Sequence, residues 1–155
     1  MKNRELVEYL LENNLTISSC ESMTGGMFAK YITDIPGTSA CFDRSLVTYS
    51  NKAKHQELGV SEDTLEKTGA ISEETAREMA DGLYEASHCD VCISVTGNAG
   101  PDPAEGKAVG EYFVGIHLKE KTKVFRIQSE YTERNAIRED ACSAMFNLLI
   151  KELSC

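Results

Sequence analysis

The chain has 155 residues, 41% of them hydrophobic, and carries a formal net charge of −9. That length suits one domain with a buried core, expected over 1–155. The acidic balance argues against nucleic acid as a partner, because phosphate backbones are held by clusters of Lys and Arg, and no stretch reaches the roughly 20 apolar residues of a membrane span.

Met1-Lys2-Asn3-Arg4-Glu5 leads into an amphipathic pattern rather than a leader peptide, so the expectation is a soluble cytoplasmic protein. Leu6, Val7, Leu10 and Leu11 recur at helical spacing until Asn13-Asn14 stops them. Residues 15–20 read as a first strand. The turn Glu21-Ser22-Met23-Thr24-Gly25-Gly26 follows, then a helix from 27 that ends before Pro36-Gly37. Residues 42–49 read as a second strand and 51–58 as a short helix. Ser72, with Glu73 and Glu74 behind it, caps a longer helix whose apolar stripe is Ala76, Met79, Ala80 and Leu83.

The run 91–95 is the most uniformly apolar of the chain, as expected for a strand buried on both faces. Thr96-Gly97-Asn98-Ala99-Gly100-Pro101 ends it, and a polar loop runs to 108. Two β segments follow at 109–118 and 123–128, joined by a hairpin link over 119–122. From 133 the chain turns helical, with Ile137, Ala141, Ala144 and Leu148 on one face. This mixed order predicts an α/β sandwich with one antiparallel strand.

Ser22 stands where a strand gives way to a helix, with glycines beside it. There a serine serves as a helix cap, an anion ligand or a nucleophile. A nucleophilic serine needs a base. The three histidines, His55, His88 and His117, lie outside the glycine-rich clusters, so no Ser-His-Asp triad is supported. Tyr49-Ser50-Asn51-Lys52 follows the second strand. If the first two strands are parallel, Ser22 and Lys52 project from the same sheet edge, where ligands collect. That makes Lys52 the candidate base and Tyr49 a candidate proton relay.

Thr96 and Gly97 mark the same edge after a third strand, and glycines there admit close backbone approach to a ligand. Arg134 and Arg138 share a helix face and could clamp a phosphate; Lys30 and Arg44 are weaker candidates. Cys89-Asp90-Val91-Cys92 has metal or redox spacing, but no second pair completes a site. The six cysteines, Cys155 among them, read as structural thiols.

These clusters, in this order, resemble the CinA C-terminal domain family across nearly the whole chain. The resemblance rests on Glu21-Ser22-Met23-Thr24-Gly25-Gly26, Asp34-Ile35-Pro36-Gly37-Thr38-Ser39, Val47-Thr48-Tyr49-Ser50-Asn51-Lys52 and Gly69-Ala70-Ile71-Ser72. It continues through Val95-Thr96-Gly97-Asn98-Ala99-Gly100-Pro101, Val109-Gly110 and Arg134-Asn135-Ala136-Ile137-Arg138.

The resemblance implies a three-layer α/β/α sandwich with a mixed, mostly parallel sheet. It also implies hydrolysis of the carboxamide of nicotinamide mononucleotide to nicotinate mononucleotide and ammonia. By position, Ser22 would be the nucleophile, Lys52 the base and Tyr49 its assistant. Backbone N–H groups around Thr24, Gly25 and Gly26 would form the oxyanion hole. Glu21, Thr96, Gly97, Asn98, Ala99, Gly100, Arg134 and Arg138 would border the small-molecule nucleotide. No metal or cofactor is implied, and a homodimer is. The chain departs from the family pattern at Met23, at Asn98, over 102–108 and before Arg134. That leaves open a second reading, a pyridine-nucleotide-binding or regulatory paralogue without turnover.

Overall fold

The computed structural model describes residues 1–154; Cys155 lies outside them. The elements run α1 (Asn3–Glu12), β1 (Ile17–Glu21), α2 (Met27–Thr33), a 3₁₀ turn (Thr38–Ala40), β2 (Phe42–Val47) and α3 (Asn51–Leu58). They continue with α4 (Glu62–Thr68), α5 (Glu73–Ser87), β3 (Val91–Gly97), β4 (Glu111–Leu118), β5 (Lys121–Gln128) and α6 (Arg134–Leu153). The five strands form one sheet in the order β2-β1-β3-β4-β5.

β1 pairs in parallel with β2 and β3, and β4 pairs antiparallel with β3 and β5. β4 therefore runs opposite to the other four, as the element order predicts. Parallel pairing brings the carboxyl ends of β1, β2 and β3 to one edge, and that edge carries the site.

Alternation along the strands sorts side chains between two helical layers. Val91, Ile93 and Val95 of β3 pack with Leu6 and Leu10 of α1, Phe28 and Ile32 of α2, and Met145, Phe146 and Leu149 of α6. Phe28 and Phe146 stack at 4.6 Å between centroids. On the opposite face Cys92 joins Cys20, Leu58, Met79 and Leu83. Cys89 belongs to the same cluster, so this pair of cysteines fills core volume as small apolar side chains. Ser94 of that face donates to the Ala76 carbonyl of α5 at 2.6 Å.

α5 approaches both its neighbours closely. A Cβ on Gly82 would lie 1.7 Å from the Leu58 carbonyl oxygen at the end of α3. Ser72 caps α5 as expected, accepting from the Thr75 N–H at 3.1 Å.

Two boundaries differ from the sequence expectation. β2 ends at Val47 rather than 49, because the chain must turn there for Ser50 to cap α3, accepting from the Ala53 N–H at 3.0 Å. The β4–β5 link is only Lys119 and Glu120, both left-handed with φ 53° and 62°. A two-residue primed turn suits the twist of paired strands, so β5 begins at Lys121.

Candidate active site

The opening turn is organised by Glu21 rather than by Ser22. Glu21 is fully buried at the end of β1. Its Oε1 accepts from the Thr24 hydroxyl at 2.6 Å and from the N–H groups of Gly26 and Phe28 at 3.2 and 3.0 Å. Its Oε2 accepts from the Ala29 N–H at 3.1 Å and the Ser45 hydroxyl at 3.1 Å. The first free donors of α2 are thus taken by a carboxylate of the protein itself, which also suits the positive end of the helix. Ser22 is not the cap, and neither Glu21 nor the start of α2 is open to a substrate anion.

Ser22 is left for another partner, and the structure supplies Lys54. Its Nζ lies 3.0 Å from Ser22 Oγ. The same amine donates to the carbonyls of Thr48 at 2.9 Å and Tyr49 at 3.1 Å. Lys54 is 1% exposed, and this burial drives its pKa down to about 8, against a smaller upward pull from Glu105.

The expectation of Lys52 is therefore corrected: Lys52 is exposed and makes no hydrogen bond to Ser22. Two residues on a helix differ by about 200° in direction, so one lysine turns to solvent while the other turns inward. A signal for the right one is present in the sequence. Lys54 is one turn before Leu58, and both are buried on the face of α3 that meets the core.

Three other expectations change. Tyr49 does not bond Ser22: its carbonyl receives Lys54, and its exposed phenol receives the Arg134 guanidinium at 3.2 Å. The Gly25 N–H is spent on the Ser22 carbonyl at 3.0 Å and the Gly26 N–H on Glu21, so neither is available for an oxyanion. Among the described residues the N–H groups of Met23 and Thr24 have no acceptor.

Arg138 explains how one of these is aimed. Its Nε and Nη2 donate to the carbonyls of Met23 and Thr24 at 2.9 and 3.0 Å. In a trans peptide the N–H points opposite the carbonyl, so drawing the Met23 carbonyl toward α6 turns the Thr24 N–H away from it. Arg138 therefore holds the main chain beside Ser22 instead of reaching a phosphate.

A cavity of about 360 Å³ opens above these groups, lined by Ser22, Tyr49, Lys54, Thr96, Glu105 and Arg134 among others. Thr96 donates its hydroxyl to the Ala70 carbonyl at 2.8 Å and so anchors the segment before α5. Gly97 is required by packing: a Cβ would lie 2.3 Å from Tyr112 Cβ and 2.7 Å from the Met23 sulfur.

Asn98 staples the altered loop. It donates to the carbonyls of Asp102 at 3.0 Å and Lys107 at 3.4 Å, and its Oδ1 accepts from the Gly100 N–H at 2.8 Å. Asn98 and Ala99 line the cavity, and the Gly100 carbonyl accepts from Arg134. Lys30 and Arg44 are instead in surface pairs with Asp34 and Asp43. No group of His, Cys, Asp and Glu among the described residues is arranged to hold a metal ion. No helix among them is long and apolar enough to cross a membrane.

A model of the CinA C-terminal domain matches residues 2–153. The chain belongs to that family. The nicotinamide-nucleotide amidohydrolase PncC of Enterobacter agglomerans is 48% identical over 133 residues, covering 85% of this chain and 80% of its own length. The CinA-like protein of Endomicrobium trichonymphae is 45% identical over 145 residues, 93% of this chain. The chain spans only 34% of that longer relative, and about a third of the competence-damage inducible protein of Caldicellulosiruptor saccharolyticus, at 36%. Among solved structures, competence damage-inducible protein A of Klebsiella pneumoniae superposes with a TM-score of 0.95 at 27% identity, over 98% of this chain and 94% of that one.

Proposed function

We propose that this CinA-family chain is an amidohydrolase that converts nicotinamide mononucleotide to nicotinate mononucleotide and ammonia, using Ser22 and Lys54. The substrate comes from the PncC relative; the chemistry is argued from the hydrogen bonds of Lys54. A lysine ammonium has three protons, and Ser22, Thr48 and Tyr49 supply three oxygen acceptors. Carbonyl oxygens only accept, so once one proton is lost the amine keeps its two donor bonds to Thr48 and Tyr49. Its lone pair is then left facing the Ser22 hydroxyl, which can donate. That is the geometry of a general base.

In the proposed reaction Ser22 Oγ attacks the carboxamide carbon while its proton passes to Lys54. The tetrahedral oxyanion is held by the N–H groups of Met23 and Thr24, in a turn braced by Arg138. The Lys54 ammonium protonates the departing nitrogen, the C–N bond breaks, ammonia leaves and an ester to Ser22 remains. Water, deprotonated by Lys54, attacks that ester; Ser22 recovers its proton and the carboxylate product leaves. Arg134, the guanidinium lining the cavity, is assigned to the phosphate.

The test is ammonia release from nicotinamide mononucleotide. It is expected for the wild-type chain, absent in Ser22→Ala and strongly reduced in Lys54→Ala. Tight nucleotide binding with no release at high enzyme concentration would select the regulatory reading instead. The homodimer belongs to the same proposal, and sedimentation would test it.

A further inference from the structure

Among the described residues, Glu105 is the one acidic side chain lining the cavity that holds Ser22, Lys54 and Arg134. It stands at the tip of a miniature hairpin: Ala104 and Lys107 exchange backbone hydrogen bonds at 3.2 and 2.8 Å. Glu105 and Gly106 between them have φ 54° and 73°, the left-handed pair of a primed turn. A glutamate adopts that conformation less readily than Gly, Asn or Asp, so something must hold it there.

The seat is visible. Glu105 Oε1 accepts from the Ile71 N–H at 3.0 Å. Gly69 leaves room for it, since a Cβ there would lie 2.2 Å from the same oxygen. One oxygen of the carboxylate is thereby tethered to the wall, and its charge is presented to the cavity. Its field reaches the reacting end, where it raises the proton affinity of Lys54. Arg134 carries the opposite charge on the same lining, held by the Gly100 carbonyl and the Tyr49 hydroxyl.

A cavity with one fixed anion and one fixed guanidinium complements a ligand that is itself a zwitterion. We propose that Glu105 is a specificity residue that reads the positive charge of an N-alkylpyridinium ring, so the site selects carboxamides borne on a cationic heteroaromatic. This rests on the amidase reading for its substrate, and deepens it: the phosphate is met by Arg134, the ring charge by Glu105. A neutral ring of the same shape lacks the second attraction.

The probes are nicotinamide mononucleotide and its 1,4-dihydro form, which keep the same phosphate and carboxamide but differ in ring charge. Binding is measured by calorimetry in a Ser22→Ala background, so turnover does not enter. The oxidised form is expected to bind about tenfold more tightly than the reduced form, a difference of roughly 1.4 kcal/mol. Adding Glu105→Gln should bring that ratio to about one while leaving affinity for the reduced form unchanged, because the glutamine Oε1 still accepts from Ile71. Glu105→Ala should weaken both forms by releasing the hairpin.

The proposal falls if the Ser22→Ala protein shows no preference or binds neither form. It also falls if the preference survives Glu105→Gln, or if Glu105→Gln weakens both forms equally. Ammonia release by the wild-type chain tests the amidase reading separately. Ring-charge preference without turnover would sink that reading alone, and turnover without the preference would sink only the role of Glu105.

Discussion

Lys54 Nζ lies 3.0 Å from Ser22 Oγ, while Lys52, two residues earlier on the same helix, faces solvent. The two lysines should therefore respond differently to replacement. Lys54→Ala is expected to lower kcat for nucleotide deamidation by about 10²–10⁴, the range of a lost general base. Lys52→Ala should change kcat/KM by no more than about twofold, as for an exposed side chain away from the chemistry. Equal losses in steady-state ammonia assays would reject the assignment.

The lowered pKa of Lys54 sets a pH profile. In the proposed mechanism the base is the neutral amine, so kcat/KM should rise with pH and level off above about 8. The same shift affects stability. An unfolded lysine titrates near ~10.4, so between about 8 and that value the unfolded chain binds more protons than the folded one. Stability relative to Lys54→Met should therefore increase with pH across that window, read from urea midpoints. A flat activity profile from pH 6 to 9 would rule out the base.

Arg134 and Arg138, four residues apart, should separate kinetically. Arg134→Ala is expected to raise KM for nicotinamide mononucleotide and to have little effect on the riboside, which lacks the phosphate. Arg138 holds the Met23 and Thr24 carbonyls, so Arg138→Ala should lower kcat for both substrates alike. Arg138→Lys should not restore it, since an ammonium lacks the planar fork that reaches two acceptors. An Arg138 variant that raised only KM for the nucleotide would return this residue to the phosphate.

Glu21 accepts five hydrogen bonds in a fully buried position. Glu21→Gln brings an NH₂ group into a ring of donors, leaving buried groups unsatisfied. It should destabilise the fold by about 3 kcal/mol. Denaturant unfolding would reveal this, and an unchanged midpoint would mean that the turn relaxes around the amide.

The fold was largely legible because its signals are local: the mostly apolar run of β3, Ser72 as the cap of α5, and alternating side chains in β4. The location of the site followed from parallel pairing, which gathers Ser22, Tyr49 and Thr96 at one edge. The individual roles did not, because they depend on directions that spacing leaves open. Lys52 and Lys54 differ by helix phase. Glu21 and Arg138 each carry the charge expected of a ligand contact, yet both are consumed by the main chain of the Ser22 turn. The staple made by Asn98 is a contact across a loop, and no periodicity announces it.

The close approach at Gly82 extends the site beyond its lining. Leu58, whose carbonyl Gly82 admits, closes the helix that carries Lys54. A single methyl group added at this position, outside the cavity lining, would act as a wedge behind the helix that holds Lys54. The reach of Lys54 toward Ser22 is thus gauged from outside the cavity by a side chain that is missing.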